Sequence, residues 1–504
     1  MTLHPDNLWR ALKQVWPSAV LPEIEARLPE KFHLITDSRQ LKVGDVFVAV
    51  PGSQQDGRAF IEHALESGAS LVLAHTKQSS VTLEDRVLYL PHLSLRLGEL
   101  GKALFEVPND LQVIAVTGTN GKSSVTHYIA ALSELLNTPA GVVGTLGVGR
   151  PGQLVESGLT TPGPLALQHI LGDLARQGVK RVALEASSHA LDQYRLEAVD
   201  VDVGVFTNLT RDHLDYHGSM AAYAAAKAKL FRRAELTLAV VNADDPLARL
   251  MLAGCESNVR VLAAGRDEAV TLRVLDWHPH EQGQQALIAT PEGEKALDLS
   301  LMGRFNLDNV LLAMAVLYGL GESLDRLFEV ASTLAPVPGR MELYRAAGGP
   351  SVVIDYAHTP DALHNALDAL KAHLGGSEGK LWCLFGCGGD RDAGKRAEMA
   401  AVAERIADHI VITDDNPRFE SAEEIRRQII TGLSPDTPFT EQGDRRAAIA
   451  HVIQQAGPQD VVLLAGKGHE AYQEIAGVRH AYQDEEQVLK ALALKDLAAT
   501  GAGQ

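Results

Sequence analysis

The chain has 504 residues, of which 46% are hydrophobic, and its formal net charge is −18. This length predicts about three domains with full cores. The acidic balance and the lack of a long basic run argue against a protein that binds nucleic acid or an anionic membrane surface. Because no apolar segment follows a basic start and no stretch of about 18 apolar residues occurs, we expect a cytoplasmic protein without a membrane span.

The cysteines also bear on the class of protein. There are three, Cys255, Cys383 and Cys387. An odd and sparse set of this kind argues against a disulfide framework. The Cys383-x-x-x-Cys387 pair has no second pair to complete a metal site, so we expect buried thiols at the end of a strand.

Residues 1–108 are predicted to form a first, small mixed α/β domain. Segment 34–52 alternates apolar and polar residues and contains turn signals at 42–45 and 51–52. A helical pattern (FIEHALESGA) and an apolar strand (SLVLAH) follow it. The residues at 107–110 read as a linker to the next domain.

The next segment predicts a nucleotide site. An apolar strand at 113–116 runs into TGTNGKSS (117–124), and a helical pattern follows. Glycines, a helix N-terminus, Lys122 and the Ser123 hydroxyl together suit a triphosphate with Mg²⁺. Val116 stands where the common phosphate-loop pattern has its first glycine, so this is a shortened variant. The alternative is a Gly-rich turn without a ligand, but the order of strand, glycines, Lys and Ser favours phosphate.

Residues 109–338 continue as alternating strands and helices, which predicts a doubly wound α/β domain. Glu185 and His213 follow the strands RVALEAS and VDVGVFTN, where each could bind a divalent ion or serve as an ordinary loop residue. The Ala-rich helical segment 221–231 contains Lys227 and Lys229. These are either solvated lysines or, if buried, amines that lose their proton readily and can react with CO₂ to form a carbamate.

Residues 339–504 repeat the α/β pattern, and the predicted strands end in charged or Gly-rich loops. These loops are GCGGDRD, DDNPR and AGKGHE. Arg391 and Arg418 suit carboxylates, whereas Asp415 and Glu470 suit ammonium groups. A ligand that matches both sets is a zwitterionic amino acid. The glycines could instead form simple turns at the strand ends.

Taken in order along nearly the whole chain, ten segments resemble the Mur ligase family: TGTNGKSS, EASSHALDQYR, TNLTRDHLDYHG, YAAAKAKLF, FNLDN, PGRME, DYAHTPD, GCGGDRD, DDNPR and AGKGHE. The resemblance implies three α/β domains. Residues 1–108 would bind the UDP end of a substrate, 109–338 would be a central phosphate-loop ATPase domain, and 339–504 would be a Rossmann-like domain that binds an amino acid. The tetrapeptide DNPR resembles the members that add meso-diaminopimelate.

The resemblance also implies a reaction. ATP would phosphorylate the D-glutamate side-chain carboxylate of a UDP-linked muramoyl dipeptide, and the amine of meso-diaminopimelate would attack the acyl phosphate, as a step in peptidoglycan precursor synthesis. ATP and Mg²⁺ would be required, the partners would be small molecules, and we expect a monomer. The alternatives are another Mur ligase, a folylpolyglutamate synthetase-like enzyme, and a nucleotide-dependent switch. For the switch, the nearest guanine-type signature, at 242–245, lacks its lysine.

The resemblance further implies a role for individual residues. The catalytic residues would be Lys122, Lys227, Glu185 and His213, with Mg²⁺ held by Ser123, Glu185, His213 and Lys227 as its carbamate. ATP would contact Gly118, Thr119, Asn120, Gly121, Lys122, Ser123, Ser124, Asn306, Asn309 and Arg340, with Asp355 and His358 nearby. The UDP-muramoyl dipeptide would contact Thr36, Ser38, Ser53, Gln54, Gln55, Thr160, Thr161, Ser187, Gln193 and Arg195. Diaminopimelate would contact Arg391, Asp415, Asn416, Pro417, Arg418, Gly466 and Glu470.

Overall fold

The structure, a computed structural model, describes residues 2–24, 28–52, 55–375 and 378–501. It has the α/β architecture that the sequence predicts, with helices between most of the strands. None of the helices in these ranges is long and apolar enough to cross a lipid bilayer.

The N-terminal part is a sheet with helices packed on it. Its elements are α1 (Pro5–Val15), β1 (Leu34–Ile35), β2 (Val46–Ala49), α2 (Ile61–Glu66), β3 (Leu71–Thr76), β4 (Thr82–Glu84), β5 (Val87–Pro91) and α3 (Leu93–Phe105). The strand order is β1-β2-β3-β5-β4, parallel except for β4. Every residue of β2 is buried, as expected for a strand covered on both faces. Clusters of apolar side chains lie on both faces of this sheet.

The central part contains the predicted alternation of strands and helices. Its elements are β6 (Gln112–Thr117), α4 (Lys122–Leu135), β7 (Ala140–Gly144), β8 (Gly147–Gly149), α5 (Pro164–Arg176), β9 (Arg181–Glu185), α6 (Ser188–Asp192), β10 (Val203–Phe206), α7 (Leu214–His217), α8 (Met220–Ala228), β11 (Leu238–Asn242), α9 (Ala248–Leu252), β12 (Arg260–Gly265), β13 (Leu272–His280), β14 (Gly283–Thr290), β15 (Gly293–Leu299), α10 (Arg304–Gly319) and α11 (Leu324–Ala331). Strands β10, β11 and β12 are parallel neighbours, as are β7 and β9. By contrast, β13, β14 and β15 form an antiparallel meander.

The C-terminal part is a second mostly parallel sheet. Its elements are β16 (Glu342–Tyr344), β17 (Ser351–Asp355), α12 (Pro360–Leu374), β18 (Leu381–Phe385), α13 (Gly394–Ile406), β19 (His409–Ile412), α14 (Ala422–Ile430), β20 (Thr440–Glu441), α15 (Arg445–Gln455), β21 (Val461–Ala465), β22 (Tyr472–Ile475), β23 (Val478–Ala481) and α16 (Asp484–Gly501). The order is β16-β17-β21-β18-β19-β20, with only β16 antiparallel, and β22 and β23 form a separate hairpin. Apolar clusters cover both faces of the sheet.

The chain divides into two compact units, and one of the boundaries along the sequence falls within β6. The first unit contains Met1–Ala115, Thr138–Asp202 and Arg233–Leu236. The second contains Val116–Asn137, Val203–Arg232 and Thr237–Gln504. The three domains with bounds 1–108, 109–338 and 339–504 stay a prediction.

The cysteines are free thiols, as the sequence indicates. Cys383 lies within β18 and Cys387 just beyond it, and both are buried. Burial raises the pKa of the Cys387 thiol to about 12, which leaves it protonated and unreactive near neutral pH.

Candidate functional site

The loop between β6 and α4 has the conformation of a phosphate loop. Gly121, the residue before α4, has φ +85°, and Gly118 has φ +151°. The ammonium of Lys122 lies over the loop and donates hydrogen bonds to the carbonyls of Gly118 (3.0 Å) and Thr119 (2.8 Å). Because the N-terminus of a helix attracts anions, this loop combines two sources of positive potential.

The residues after β10 fix the shape of this loop. The backbone N–H of Asn120 donates to the side-chain oxygen of Asn208 at 2.9 Å. The carbonyl of Asn120 accepts from the Thr207 hydroxyl (2.6 Å) and from the Asn208 amide (3.2 Å). The loop is therefore held by hydrogen bonds before any ligand binds. Thr207 and Asn208 were not among the predicted site residues.

Lys227 is buried beside the loop. It lies on α8, only 1% of its surface is exposed, and its Nζ donates to the carbonyl of Gly118 at 2.7 Å. The Tyr223 ring lies 4.5 Å from the same nitrogen. Burial lowers the pKa of Lys227 well below its usual value, and the nearby Lys122 lowers it further. The amine is thus favoured in its neutral, nucleophilic form. Lys229, by contrast, is half-buried at the start of a short 3-10 helix.

His213 follows β10 and is the residue before α7, with φ +53°. Its ring contacts that of Tyr223 edge to face at a centroid distance of 6.1 Å. Burial lowers the pKa of this imidazole, whereas the carboxylate of Asp212 raises it. The resulting neutral imidazole is the form that binds a metal ion. Within the second unit, the structure therefore brings His213 and Lys227 into contact with the same tyrosine, Tyr223.

Two asparagines of α10 lie against the same loop region. Asn306 is buried, and its side chain accepts from the Tyr128 hydroxyl (3.2 Å) and donates to the carbonyl of Met302 (2.8 Å). The Asn309 side-chain oxygen approaches Gly121 so closely that a Cβ there would lie 2.6 Å from it. Only glycine fits at this point of the loop. Asn306 is used in packing, whereas Asn309 faces the loop directly.

Arg340, at the start of the predicted C-terminal domain, also reaches the phosphate loop. Its Nη2 donates to the Ser123 hydroxyl at 3.3 Å, and its guanidinium lies 4.6 Å from the Tyr356 ring centroid. Ser123 and Ser124 are both buried in the first turn of α4. The Arg340 Nε is buried without a hydrogen-bond partner in the described part of the chain. This nitrogen is a free donor beside the predicted triphosphate site.

Asp355 and His358 lie on the strand and loop next to Arg340. Asp355 Oδ2 accepts from the backbone N–H of Met341 at 2.8 Å, and burial raises the pKa of this carboxyl. The ring of His358 bonds through Nδ1 to the carbonyl of Tyr356 at 2.8 Å. Burial lowers the pKa of His358 to about 4, so its ring is neutral. Both residues support the backbone around Arg340.

In the first unit, Glu185 organises a network of hydroxyl groups. Its carboxylate accepts from the backbone N–H (2.8 Å) and the hydroxyl (3.1 Å) of Thr145. The Thr145 hydroxyl also contacts that of Thr160 at 3.1 Å. The Thr161 hydroxyl donates to the Glu185 carbonyl at 2.6 Å and lies 3.2 Å from the Ser187 hydroxyl. Thr145 links these residues but was missed, because nothing near it in the sequence distinguishes it from other threonines.

Gln193 and Arg195 join this network. Arg195 donates to the carbonyl of Thr161 at 2.7 Å and, through Nε and Nη2, to the side-chain oxygen of Gln193 at 3.1 and 2.7 Å. The five residues predicted to contact the muramoyl dipeptide thus lie together within the first unit. They are Thr160, Thr161, Ser187, Gln193 and Arg195.

Three of the residues predicted to bind the UDP end, Thr36, Ser38 and Gln55, follow neighbouring strands. Thr36 follows β1, and Ser38 begins the short 3-10 helix Ser38–Gln40. Gln55 is an exposed residue beyond β2, which is the parallel neighbour of β1. Carboxyl ends of parallel strands lie at the same edge of a sheet. Ser53 and Gln54 lie outside the described residues.

A buried ion network lies at the carboxyl end of the C-terminal sheet. The Lys467 Nζ, which is fully buried, contacts Asp415 Oδ1 (3.4 Å), Asn416 Oδ1 (3.0 Å) and Glu470 Oε2 (3.2 Å). Asn416 Nδ2 also donates to Glu470 Oε2 at 2.8 Å. Burial raises the pKa of Glu470, and Lys467 counteracts that rise. Three predicted residues therefore meet around a lysine that was not among them.

Gly466 and Pro417 shape the backbone around this network. Gly466 has φ +114°, and a Cβ there would lie 3.0 Å from Asp415 Oδ2. Its N–H donates to the carbonyl of Asp355 at 3.1 Å. The Pro417 carbonyl accepts from the N–H of Glu420 at 3.0 Å, which makes a tight turn after the network. Gly466 is required here because both its φ and the space above it exclude a side chain.

The two predicted arginines differ in their settings. Arg418 has φ +52°, and its Nη1 donates to the carbonyl of Gly389 at 2.6 Å. Its Nε lies 3.8 Å from a carboxylate oxygen of Glu474 on β22. Arg391 lies on the exposed loop after β18. The structure therefore holds Arg418 between the loop at Gly389 and strand β22 and leaves Arg391 at the surface.

The donors at the phosphate loop suit a divalent ion. Mg²⁺ prefers oxygen ligands, and within the second unit Ser123 and a Lys227 carbamate would supply oxygen, with a neutral nitrogen from His213. Glu185, the remaining predicted ligand, belongs to the first unit, and its part in such a site stays a prediction. Among the described residues, no group of three or more His, Cys, Asp and Glu side chains is arranged to hold a metal ion. A site here would thus depend on the hydroxyl, the carbamate and phosphate oxygens.

Comparison with known families assigns the chain. Three family models match it: the Mur ligase family catalytic domain at residues 32–103, the Mur ligase middle domain at 116–317, and the glutamate ligase domain of Mur ligases at 339–468. The chain belongs to the Mur ligase family. Members of the Mur ligase family use ATP to form amide bonds, which agrees with the phosphate loop between β6 and α4.

Curated relatives within the Mur ligase family match nearly the whole chain. One from Pseudomonas aeruginosa is 46% identical over 488 residues, which cover 96% of this chain and 98% of that protein. One from Xanthomonas campestris pv. campestris is 44% identical over 498 residues, with 98% of each chain covered. Both are named UDP-N-acetylmuramoyl-L-alanyl-D-glutamate–2,6-diaminopimelate ligase.

Solved structures of Mur ligases and related enzymes have the same fold. A structure of a UDP-N-acetylmuramoyl-L-alanyl-D-glutamate–2,6-diaminopimelate ligase matches with a TM-score of 0.69 and 36% identity, covering 96% of this chain and 99% of that one. A Mycobacterium tuberculosis folylpolyglutamate synthase matches with a TM-score of 0.60 and 20% identity, covering 74% of this chain and 92% of that one. The second likeness concerns the fold alone.

Proposed function

We propose that this chain joins meso-2,6-diaminopimelate to UDP-N-acetylmuramoyl-L-alanyl-D-glutamate at the expense of ATP, a step in peptidoglycan precursor synthesis. The observation that carries the proposal is the 46% identity over 96% of the chain to a relative with this activity in its name. The presence of DNPR, from Asp415 to Arg418, supports the choice of amino acid.

The first step is activation of the D-glutamate carboxylate. A carboxylate oxygen attacks the γ-phosphorus of ATP, the bond to the bridging oxygen breaks, and the products are an acyl phosphate and ADP. Phosphoryl transfer depends mainly on positioning and on neutralisation of charge. In this chain the loop amides from Gly118 to Ser124, Lys122 and Arg340 would hold the phosphates. Asn306 and Asn309 would lie on the nucleotide side.

Lys227 would act in its carboxylated form. Its neutral amine attacks CO₂, an N–C bond forms, and one proton is released to water, so a buried amine becomes an anion. The lowered pKa and the single hydrogen bond to the Gly118 carbonyl support this reaction. The carbamate, Ser123, Glu185 and His213 would hold Mg²⁺, which when bound would offset negative charge on the phosphates.

The acceptor substrate would bind along the first unit. Thr36, Ser38, Ser53, Gln54 and Gln55 would contact the UDP end. The muramoyl dipeptide would contact the hydroxyl network around Glu185, in which Arg195 supplies a cation for a carboxylate. The contacts among Thr160, Thr161, Ser187, Gln193 and Arg195 support a common ligand.

The amino acid would bind in the C-terminal part. Asp415 and Glu470 would pair with one ammonium of diaminopimelate, and Arg391 and Arg418 would pair with its carboxylates. The second amino group, once deprotonated, attacks the acyl carbon and gives a tetrahedral intermediate. Collapse of this intermediate expels phosphate and leaves the amide. Asn416, Pro417 and Gly466 would shape the pocket. We further propose that the protein acts as a monomer.

The test is phosphate release from ATP and Mg²⁺ in the presence of the UDP-muramoyl dipeptide. We expect release only when the dipeptide and meso-diaminopimelate are both present. A nucleotide-dependent switch would hydrolyse ATP without either substrate. Phosphate release that requires neither compound would therefore overturn the ligase proposal.

A further inference from the structure

We propose that Lys467 is a positioning residue for the amino-acid site: its buried ammonium orients Asp415, Asn416 and Glu470 and fixes the charge that the incoming amino acid must balance. This inference rests on the proposed function, because it concerns the residues proposed to bind diaminopimelate. It adds a residue whose own side chain is fully buried.

The geometry of Lys467 uses all of its donors. A lysine ammonium has three N–H groups, and its Nζ has three acceptors, on Asp415, Asn416 and Glu470, at 3.0 to 3.4 Å. The ammonium has no donor left for a ligand. The ammonium therefore acts by positioning the protein residues around it, without contacting the ligand itself.

The contacts of Asn416 show how the orientation is set. Its Oδ1 accepts from Lys467 and from the backbone N–H of Glu474 at 2.9 Å, which leaves Nδ2 to donate to Glu470. Without the ammonium, the amide would lose one of the two donors that fix its orientation. The Glu470 carboxylate would lose one of the two donors to its Oε2 and would keep only Asn416, whose own orientation is then less restrained.

The charges of the network leave room for one cation. Two carboxylates and one ammonium sum to a single negative charge, and Lys467 occupies only one oxygen of each carboxylate. Arg445 also acts on Asp415, but its charge is offset by its own partner Asp484. Tyr356 and Tyr472 face Glu470 with raised pKa values and add no charge. Glu470 Oε1 and Asp415 Oδ2 accept no hydrogen bond from the described part of the chain. These are the oxygens that one ligand ammonium would meet, and its charge would bring the sum to zero. Removing Lys467 would leave two adjacent carboxylates, one buried (Asp415) and one half-buried (Glu470), which favours protonation of one of them.

The test compares Lys467→Met, which keeps the length of the side chain, with Lys467→Arg, which keeps the charge. In Lys467→Met we expect the KM for meso-diaminopimelate to rise about tenfold to a hundredfold, while the KM for ATP stays within about twofold. The acid limb of kcat/KM for the amino acid should move to higher pH, because Glu470 would lose the cation that opposes the rise of its pKa. Lys467→Arg should retain the acid limb and show a smaller rise in KM.

Lys371→Met is the matched control. Lys371 pairs with Asp408 at 3.0 Å near the amino end of β19, in the same C-terminal part, and its loss should change neither KM nor the acid limb. If Lys467→Met does not fold, Lys467→Arg alone tests the role of Lys467. Its planar guanidinium cannot reproduce the three contacts of a tetrahedral ammonium, so the KM of this variant for meso-diaminopimelate must rise.

The outcomes separate the two proposals. Wild-type protein that uses another amino acid instead of meso-diaminopimelate overturns the proposed function, and the same KM comparison is then made with that amino acid. Variants with an unchanged KM for the amino acid overturn the role of Lys467. An equal rise in KM for ATP and for the amino acid would also overturn it, because a merely structural residue has that effect. No turnover with any amino acid overturns both.

Discussion

Two lysines of the second unit are buried to the same extent in opposite surroundings. Lys227 is 1% exposed and donates to one backbone carbonyl, beside a second lysine. Lys467 is 0% exposed and contacts two carboxylates and an amide oxygen. Burial disfavours a charged amine unless anions compensate it. The first site therefore favours a neutral, reactive amine, whereas the second surrounds its lysine with carboxylates that compensate an ammonium charge.

This difference indicates what each region can bind. The phosphate loop offers cations and N–H donors to an anionic ligand, and a neutral Lys227 adds no further charge there; the proposed carbamate would make it an anion. The network around Lys467 offers carboxylate oxygens to a cationic group. Side-chain identity alone does not distinguish the two lysines, whereas their neighbours do.

The largest expected effect is the loss of Lys227. Lys227→Ala should lower kcat by about 10²- to 10³-fold, because the carbamate that would hold charge beside the phosphates cannot form. Acetate or propionate, bound in the space left by the side chain, should restore part of the activity. Initial rates with and without the acid measure both effects.

Lys229→Ala is the control for that experiment, since Lys229 lies two residues away and is only half-buried. Its rate should stay within about twofold of wild type. Wild-type activity in Lys227→Ala, or an equal loss in Lys229→Ala, would contradict the special role of the buried lysine.

A second substitution tests the C-terminal site through its arginine. Arg418→Ala should reduce the preference for meso-diaminopimelate over L-lysine by about a hundredfold, because lysine lacks the second carboxylate that Arg418 would bind. Arg479→Ala is the control, since Arg479 also lies near Glu474 (3.9 Å) but is largely exposed. A preference that survives Arg418→Ala would show that another residue selects the amino acid.

A smaller effect is expected at Gly466. Gly466→Ala adds a Cβ 3.0 Å from Asp415 Oδ2 at φ +114°, a strain of about 1–3 kcal/mol. The KM for the amino acid should rise several-fold. Gly375→Ala has a positive φ as well, but its nearest contact would be 3.8 Å away, so only stability should fall. Equal KM values in both variants would place Asp415 outside the binding site.

The smallest expected effect concerns stability and pH. The pKa of Lys227 is lowered in the folded state, so the unfolded chain binds more protons and stability rises with pH between the folded and unfolded pKa values. We expect the free energy of unfolding of wild type, relative to that of Lys227→Met, to rise by up to about 1.4 kcal/mol between pH 7 and pH 8 in CO₂-free buffer. Urea unfolding at the two pH values measures this difference. A constant difference would show that the amine keeps its proton.

Much of the fold could be predicted because its signals are local. The phosphate loop, the helix that carries Lys227 and the C-terminal strands are continuous segments with clear apolar periods and Gly-rich ends. The three family models match residues within all three predicted domains. The antiparallel strands β13, β14 and β15 were not predicted. Beyond Val274, the residues of β13 are exposed or half-buried, and this weakens the apolar pattern that indicates a strand.

The missed site residues share a different cause. Thr145 is 40 positions from Glu185 and Lys467 is 52 from Asp415, so only the folded chain brings them together. Lys467 stands in AGKGHE between two predicted residues, Gly466 and Glu470, but a lysine after a glycine is equally typical of a surface turn. The sequence carries no sign of its complete burial.

The most direct test is a competition between meso-diaminopimelate and L-lysine at equal concentration, with ATP, Mg²⁺ and UDP-N-acetylmuramoyl-L-alanyl-D-glutamate. Mass spectrometry of the products identifies which amino acid has been added. We expect nearly all of the product to contain diaminopimelate. A product that contains mainly lysine, or the absence of any amide product, would contradict the proposed function.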